Sequence, residues 1–537
     1  MRAKRESVKL AAQLILLLAF VLLGSTASPP PIRFDVAADP TNLNPLFAHA
    51  DAGSVEAQLA RLVFEPFIDI DEHGRPIPEL LSEIPTLQNR GVSKDGRTIT
   101  YHLRPNVLWS DGVPVTANDV LFTLRAINDP RNPVRSREGY DLIDNAYAPD
   151  AHTVVVRLHR SWAPAVATFF SYGASAQYVL PAHLLAHAGT LAQADFNQHP
   201  IGDGPFTFVS WRRGERLEYV GNSRYWRGAP KTQRLEIGIV PDPGTNLTLL
   251  QSRAIEWNLI APDQQAIVAH QPHITFRDVP LALVAGIVLN TTHPPLDDAR
   301  VRRAIAASID RNAISRKITF GRYPVIDTAQ PLHSWARDPG VHQPAYDPVA
   351  ADRMLDDAGW LRGRDGTREK DGKRLSLVYV QFPETRTGVA VATFVQAELR
   401  IRGIDAAIKS ISNAQLFLPK TGILASGNFD LAYVPFPMGV DPDDSFLFRC
   451  NGVANYARWC DPRIDTLESE SLVSVARARR KTIYAEIERT VARDVPIVFL
   501  FNPSYVYAYD DRLGGFSPNA YLPTWNAAGW QMTKGGP

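Results

Sequence analysis

Residues 98–124, TITYHLRPNVLWSDGVPVTANDVLFTL, constrain the fold more than any other stretch, because strand, turn and helix signals follow one another there without a gap. Thr98, Thr100 and His102 alternate with Ile99, Tyr101 and Leu103, the period-2 pattern of a strand with one face buried. Ser110-Asp111-Gly112 then supplies a reversal, since Asp bonds its own backbone and Gly tolerates positive φ. Thr116 and Asp119 have the spacing of a capping box, and Val115 and Val120 sit where a hydrophobic staple closes. The helix is therefore predicted to start at Ala117. Val120, Leu121, Leu124 and Ile127 share one face, and Asp129-Pro130 ends the run. Losing the Thr116 cap is expected to cost about 1 kcal/mol.

The run LR-x3-LWSDG-x-PVTANDVLFT, with Arg104, Trp109, Asp111, Gly112, Thr116 and Asp119 in register, resembles the signature of the family 5 extracellular solute-binding proteins. These are the peptide-binding subunits of bacterial ABC importers. The resemblance implies an α/β chain with the two-lobe periplasmic-binding-protein type II fold (cluster C), a hinge of two strands, and an accessory subdomain on lobe I.

Composition agrees with a multi-lobed globular protein. A chain of 537 residues with 45% hydrophobic content implies two or more domains with sizeable cores. The formal net charge of +1 creates no global field toward nucleic acid or acidic lipid, so no nucleic-acid partner is expected. Arg2, Lys4, Arg5 and Lys9 precede an apolar run over 10–23 broken only by Gln13, the n- and h-regions of a signal peptide. Small residues at Ser25 and Ala27 place cleavage after Ala27. The apolar run is shorter than the roughly 20 residues a spanning helix needs. Many relatives carry a lipidated Cys after a Leu-x-Gly run, but Ser25 follows Gly24 here. A periplasmic, monomeric protein is expected.

Further matches run through the chain. Residues 32–47 open with an alternating strand and a loop containing Asn42, Asn44 and Pro45, which the resemblance places at the cleft, with Asp39 as a candidate ligand contact. IGDGPF at 201–206 departs from the related V-G-T-G-P-Y turn by carrying Asp203 in place of Thr. It has neither the Lys nor the spacing of a P-loop. His183 and His187 are i, i+4, yet no Glu accompanies them in the HExxH sense, so a packing or surface role is favoured. Residues 298–311 read as one amphipathic helix whose Arg302 and Arg303 belong to a solvated or ion-paired face. YDPVAADRMLDDAGW at 346–360 is a second long match, followed by a charged hairpin-like insertion at 361–374 around Asp371-Gly372. Strands and helices then alternate through 375–408, which implies parallel pairing. With the signal peptide at 1–27, the resemblance implies lobe I at 28–65, 190–282 and 503–537, the accessory subdomain at 66–189, and lobe II at 283–502. The hinge then lies near 280–284 and 499–504.

In dipeptide- and oligopeptide-binding relatives an acid in the loop after a Phe-Asp-Leu strand pairs with the ligand's α-ammonium. Here Phe429-Asp430-Leu431 leads into AYVPFPMGVDPDD, and no acid lies between Leu431 and Val440. Counting back from Asp441-Pro442-Asp443 puts Met438 at the ammonium position, and counting forward from Asp430 puts Gly439 there. Free dipeptides should therefore bind poorly unless Asp441 takes the role, and longer, N-blocked or non-peptidic ligands are favoured. Dipeptide binders add an Arg after the preceding strand, where QFPETRTG offers Arg386. The candidate ligand contacts are Asp39, Phe382, Glu384, Arg386, Tyr433, Phe436, Met438 and Asp441. Cys450 and Cys460 are the two cysteines; in an exported chain they read as a disulfide, and dipeptide-binding relatives carry a similar pair. The leading reading is a non-enzymatic peptide-binding subunit that delivers its ligand to ABC permease subunits, with no cofactor and no metal. The same fold with a nickel chelate, haem or oligosaccharide is the runner-up. A hydrolase using Asp441 and Asp443 as base and acid belongs to a different class, but no Ser-His-Asp or metal-ligand spacing accompanies the pair.

Overall fold

A computed structural model describes residues 30–47, 54–134, 136–171 and 177–533. The predicted signal peptide and its cleavage site lie outside the described residues.

Two large sheets organise the chain. The first has seven strands in the order Ile274–Pro280, Ser504–Asp510, Trp257–Ile260, Ile32–Val36, Arg234–Ile239, Arg216–Gly221 and Phe206–Arg212. Ile32–Val36 lies parallel to both neighbours, and its alternating burial follows the IRFDV pattern. Phe34 stacks on Trp257 with ring centroids 4.6 Å apart. The second sheet has five strands in the order Asp405–Ser410, Ser376–Gln381, Leu431–Pro437, Leu283–Leu289 and Ile497–Phe501. Its first two strands pair in parallel as predicted and the third joins them in parallel, whereas Leu283–Leu289 is antiparallel to both of its partners. The sheet is thus mixed. Leu283–Leu289 and Ile497–Phe501 are the strands by which the chain enters from and returns to the first sheet, so neither belongs to a helical crossover that would force parallel pairing.

These two crossings are short. Ile274–Pro280 passes to Leu283–Leu289 through Leu281-Ala282, and Ile497–Phe501 passes to Ser504–Asp510 through Asn502-Pro503. They run side by side: Pro280 pairs with Ser504, and Leu281 N–H donates to Pro503 O at 2.8 Å. Asn502, fully buried, fastens them. Its Nδ2 donates to Leu281 O at 2.8 Å and Leu283 O at 2.9 Å, while its Oδ1 accepts from Leu332 N at 2.9 Å.

A third sheet holds the strand that opens residues 98–124, in the order Thr98–His102, Thr153–Leu158, Ile143–Asp150. The helix runs Ala117–Asn128, as its caps predict. Thr116 N–H donates to Asp119 Oδ2 at 2.8 Å, and Asp119 Oδ1 accepts from Ala182 N at 2.8 Å. One carboxylate therefore caps the helix and anchors the segment after Leu180. His183 Nε2 lies 2.8 Å from Asp111 Oδ2, a packing contact back to the turn. Among the described residues no group of three or more candidate metal ligands occurs.

Two expectations are corrected. The helix predicted over 298–311 forms as Ala299–Ser308 and ends early, because the Asp310 side chain accepts from Ala313 N and starts a second helix, Arg311–Ile318. Arg302 is buried, not solvated: it donates to Leu296 O at 2.8 Å and to Asp494 O at 2.9 Å. A guanidinium suits that place because its fork satisfies several carbonyls, among them the one left open where the helix ending at Asp494 stops. The charged insertion forms three short strands, Leu361–Arg362, Arg368–Lys370 and Lys373–Arg374, turning at Asp371-Gly372 as predicted.

Asp203 is buried, and its Oδ1 accepts from Glu65 N at 3.0 Å. It adjoins a buried set in which Arg61 Nε meets Asp69 Oδ2 at 2.7 Å and Tyr225 OH donates to Glu65 at 2.6 Å. Burial, then the Glu65 charge, pushes the Asp203 carboxyl up to about 8.

Candidate ligand-binding site between the lobes

The loop that follows Leu431–Pro437 forms a wall common to two cavities. Gly439, Val440 and Asp441 line both, one of about 440 Å³ and the other of about 470 Å³. Each has walls from both sides of the cleft. The first is faced by Ile68, Ile70 and Val166 on one side and by Trp335, Arg477 and Arg480 on the other. The second sets Glu138 and Thr168 against Asp443, Ser445 and Phe446. Val453 joins the second cavity to a third of about 700 Å³, lined by Phe417, Leu418, Tyr456 and Cys450. Volumes of this order suit small ligands.

The charges in this wall are already arranged. Arg480 grips Asp441 with both terminal nitrogens, Nη1 to Oδ2 at 2.6 Å, and Nη2 also donates to Tyr484 OH at 3.0 Å. Burial opposes the Arg480 charge, but the Asp441 carboxylate outweighs it and holds the guanidinium well above its usual value. Burial, then Asp441, raises the Asp443 carboxyl. Glu138 keeps solvent contact but sits in a concave wall, where desolvation, then Asp443 and Asp441, raises it too. Behind the loop, burial raises both Asp444 and Glu468, which face each other. Two buried carboxyls facing each other disfavour a state in which both are ionised. Gln330 Nε2 donates to Asp444 Oδ2 at 3.0 Å and to Pro442 O at 2.9 Å, fixing the loop from beneath.

The structure does not gather the eight predicted contacts into one constellation. Asp441 lines both interlobe cavities, but its charge is taken by Arg480, so it is not a free partner for an ammonium. Asp39 accepts from Trp211 Nε1 and Gly214 N, both at 2.8 Å, and so holds the Phe206–Arg212 hairpin turn. Glu384 accepts from Asn413 N at 2.8 Å. Arg386 reaches across to Asp263 of the opposite lobe at 3.0 Å. Phe382 packs on Phe417 and Tyr433, and Phe436 stacks over Tyr456. Both lie in the core of the second sheet, with Tyr433 and Met438. The strand Leu431–Pro437 is covered on both faces, which turns the expected aromatic walls into packing. Met438 N–H donates to Ala282 O at 2.8 Å, binding the loop to the first crossing. Trp335, Arg477, Arg480 and Glu138 were missed. Arg477 and Arg480 sit in the run ARARRK, which reads as a solvated helix face.

Cys450 and Cys460 form the predicted disulfide, beside the third cavity.

Two α/β lobes joined by paired crossings, with cavities walled from both sides, define a periplasmic-binding-protein type II fold. The sequence profile described as "Bacterial extracellular solute-binding proteins, family 5 Middle" matches residues 75–457, and the chain belongs to this family. It is 27% identical over 471 residues to the Di/tripeptide-binding protein 2 of Pseudomonas aeruginosa, covering 82% of this chain and 85% of that one. It is 23% identical over 506 residues to the oligopeptide-binding protein AppA of Bacillus subtilis, covering 92% and 90%. Among solved structures, the ABC transporter substrate-binding protein CtaP of Listeria monocytogenes superposes with a TM-score of 0.83 at 21% identity, covering 94% of this chain and all of that one.

Proposed function

We propose that this protein captures peptides in the interlobe cleft and delivers them to the permease subunits of an ABC importer, acting as a monomer without catalysis. The observation that carries the reading is the Gly439–Val440–Asp441 wall, which closes two cavities against the opposite side of the cleft. The names of the di/tripeptide- and oligopeptide-binding relatives support a peptide as the cargo. Lobe I is assigned to 28–65, 190–282 and 503–537, the accessory subdomain to 66–189 and lobe II to 283–502, after removal of residues 1–27 on export to the periplasm. Backbone groups of a buried peptide must find partners, since each left unmade costs about 1–3 kcal/mol. The cleft therefore reads main chain more than side chain.

With Met438 at the ammonium position and Asp441 neutralised by Arg480, free dipeptides are weak ligands and longer or N-blocked peptides are favoured. The test is to incubate mature protein with a defined peptide mixture, measure the melting temperature, and analyse the bound fraction by native mass spectrometry. A rise in melting temperature with peptides recovered intact is expected. No shift and no retained peptide would reject the reading, and recovered cleavage products would reject its non-catalytic part.

A further inference from the structure

The first interlobe cavity contains a cation that the protein itself leaves open. Arg477, at the start of the helix Arg477–Asp494, lies with its guanidinium carbon 4.7 Å from the Trp335 ring centroid. Its side chain is exposed and makes no ion pair or hydrogen bond with any other described residue. The other arginines of this cavity differ: Arg75 meets Asp71 at 2.7 Å, and Arg480 is bound by Asp441. A guanidinium resting over an indole keeps its fork of N–H donors available, and that fork matches a carboxylate.

The lining around it is mixed, with an apolar part beside His73, Ser171, Ser334 and the Asp441–Arg480 pair. Ile68, Ile70 and Val166 face Trp335 across the space, and the His333 ring meets Tyr521 edge-on at 6.0 Å. Burial pushes the His333 imidazole down to about 4, so it adds no positive charge at neutral pH. Two polar atoms in this lining, His333 Nδ1 and Arg480 Nε, are buried without a partner in the protein, although Arg480 is only 5% exposed. Buried polar groups are normally satisfied, and an incoming ligand is one way to satisfy them.

We propose that this cavity is the subsite for the C-terminal residue of the bound peptide, with its α-carboxylate on Arg477 and an apolar or aromatic side chain against Trp335, Ile68 and Ile70. The assignment rests on the peptide reading and gives the ligand a direction along the cleft. An acidic side chain offers the same chemistry as a chain terminus, so the test separates them.

The probe is a tetrapeptide mixture randomised at three positions and ending in Phe, made as the free acid and as the C-terminal amide. Native mass spectrometry of equimolar competition is run on wild type, Arg477→Gln and Trp335→Ala, each first shown to melt like wild type. Wild type is expected to prefer the free acid by about 10- to 100-fold, Arg477→Gln to lose that preference, and Trp335→Ala to weaken both forms. Equal capture of acid and amide by wild type would overturn the subsite alone. So would selection of amides rich in Asp or Glu, which would give Arg477 to side chains. Capture of neither form would overturn the peptide reading and the subsite with it.

Discussion

Asn502→Ala is the sharpest test of how the lobes are joined. The side chain is fully buried between the crossings, and its removal strips partners from Leu281 O, Leu283 O and Leu332 N. Each abandoned buried group costs about 1–3 kcal/mol. Three together give a loss of roughly 3–6 kcal/mol, taking the low side because a small cavity admits water. That is a large share of the 5–15 kcal/mol typical of a domain. Urea unfolding followed by both tryptophan fluorescence and circular dichroism would measure it, with coincident curves licensing a two-state analysis. Asn502→Asp should lose more, because a carboxylate cannot donate to the two carbonyls. A loss below about 1 kcal/mol for the alanine variant would refute the idea that this amide fastens the crossings.

Other consequences are as direct. Cys450→Ser opens the short Cys450–Cys460 loop and should cost about 2–3 kcal/mol; two alkylatable thiols in native unreduced protein would contradict the disulfide. Asp203 has a folded-state carboxyl raised to about 8 from an ordinary value of 3.8, so its contribution is full below pH 4 and drains away as pH rises to 8. Asp203→Asn should flatten that slope, about 1.4 kcal/mol per pH unit, and raise stability at pH 8 more than at pH 4, which melts across that range would check. Arg480→Met leaves Asp441 unpaired and largely buried beside Asp443 and should cost about 3 kcal/mol, whereas the double variant with Asp441→Leu should recover much of it. Met438→Asp should destabilise the loop and not create an ammonium site, because Met438 is 2% exposed; tight binding of free dipeptides by this variant would show otherwise.

What could be read from the sequence was what neighbouring residues decide. The capping box at Thr116 and Asp119 and the turn at Asp371-Gly372 are local, and both appear where the letters place them. Asp310 is also a local cap, overlooked because the apolar stripe through Ile309 continues past it. Arg302 and the Arg480–Asp441 pair were illegible for a different reason. Their partners lie far along the chain, at Asp494 and across 39 positions, and no periodicity reports such meetings. The site shows the same division. Residues 438–441 were recognised as a cleft loop from their order, but which charges face that loop depends on how Glu138 and the Arg477–Asp494 helix pack against it.

The pairing of Pro280 with Ser504 has a consequence for dissection of the molecule. The second lobe is a single uninterrupted insertion whose entry and exit strands lie next to each other, with Ala285 opposite Phe501. Deleting it and joining Pro280 to Ser504 through a tight turn would leave the seven-stranded sheet with its edge hairpin intact. The excised piece would begin and end on adjacent strands of its own sheet. Such a chain can be divided into two genes, or refitted with the insertion of a relative, by cutting at one place in the architecture and not at many.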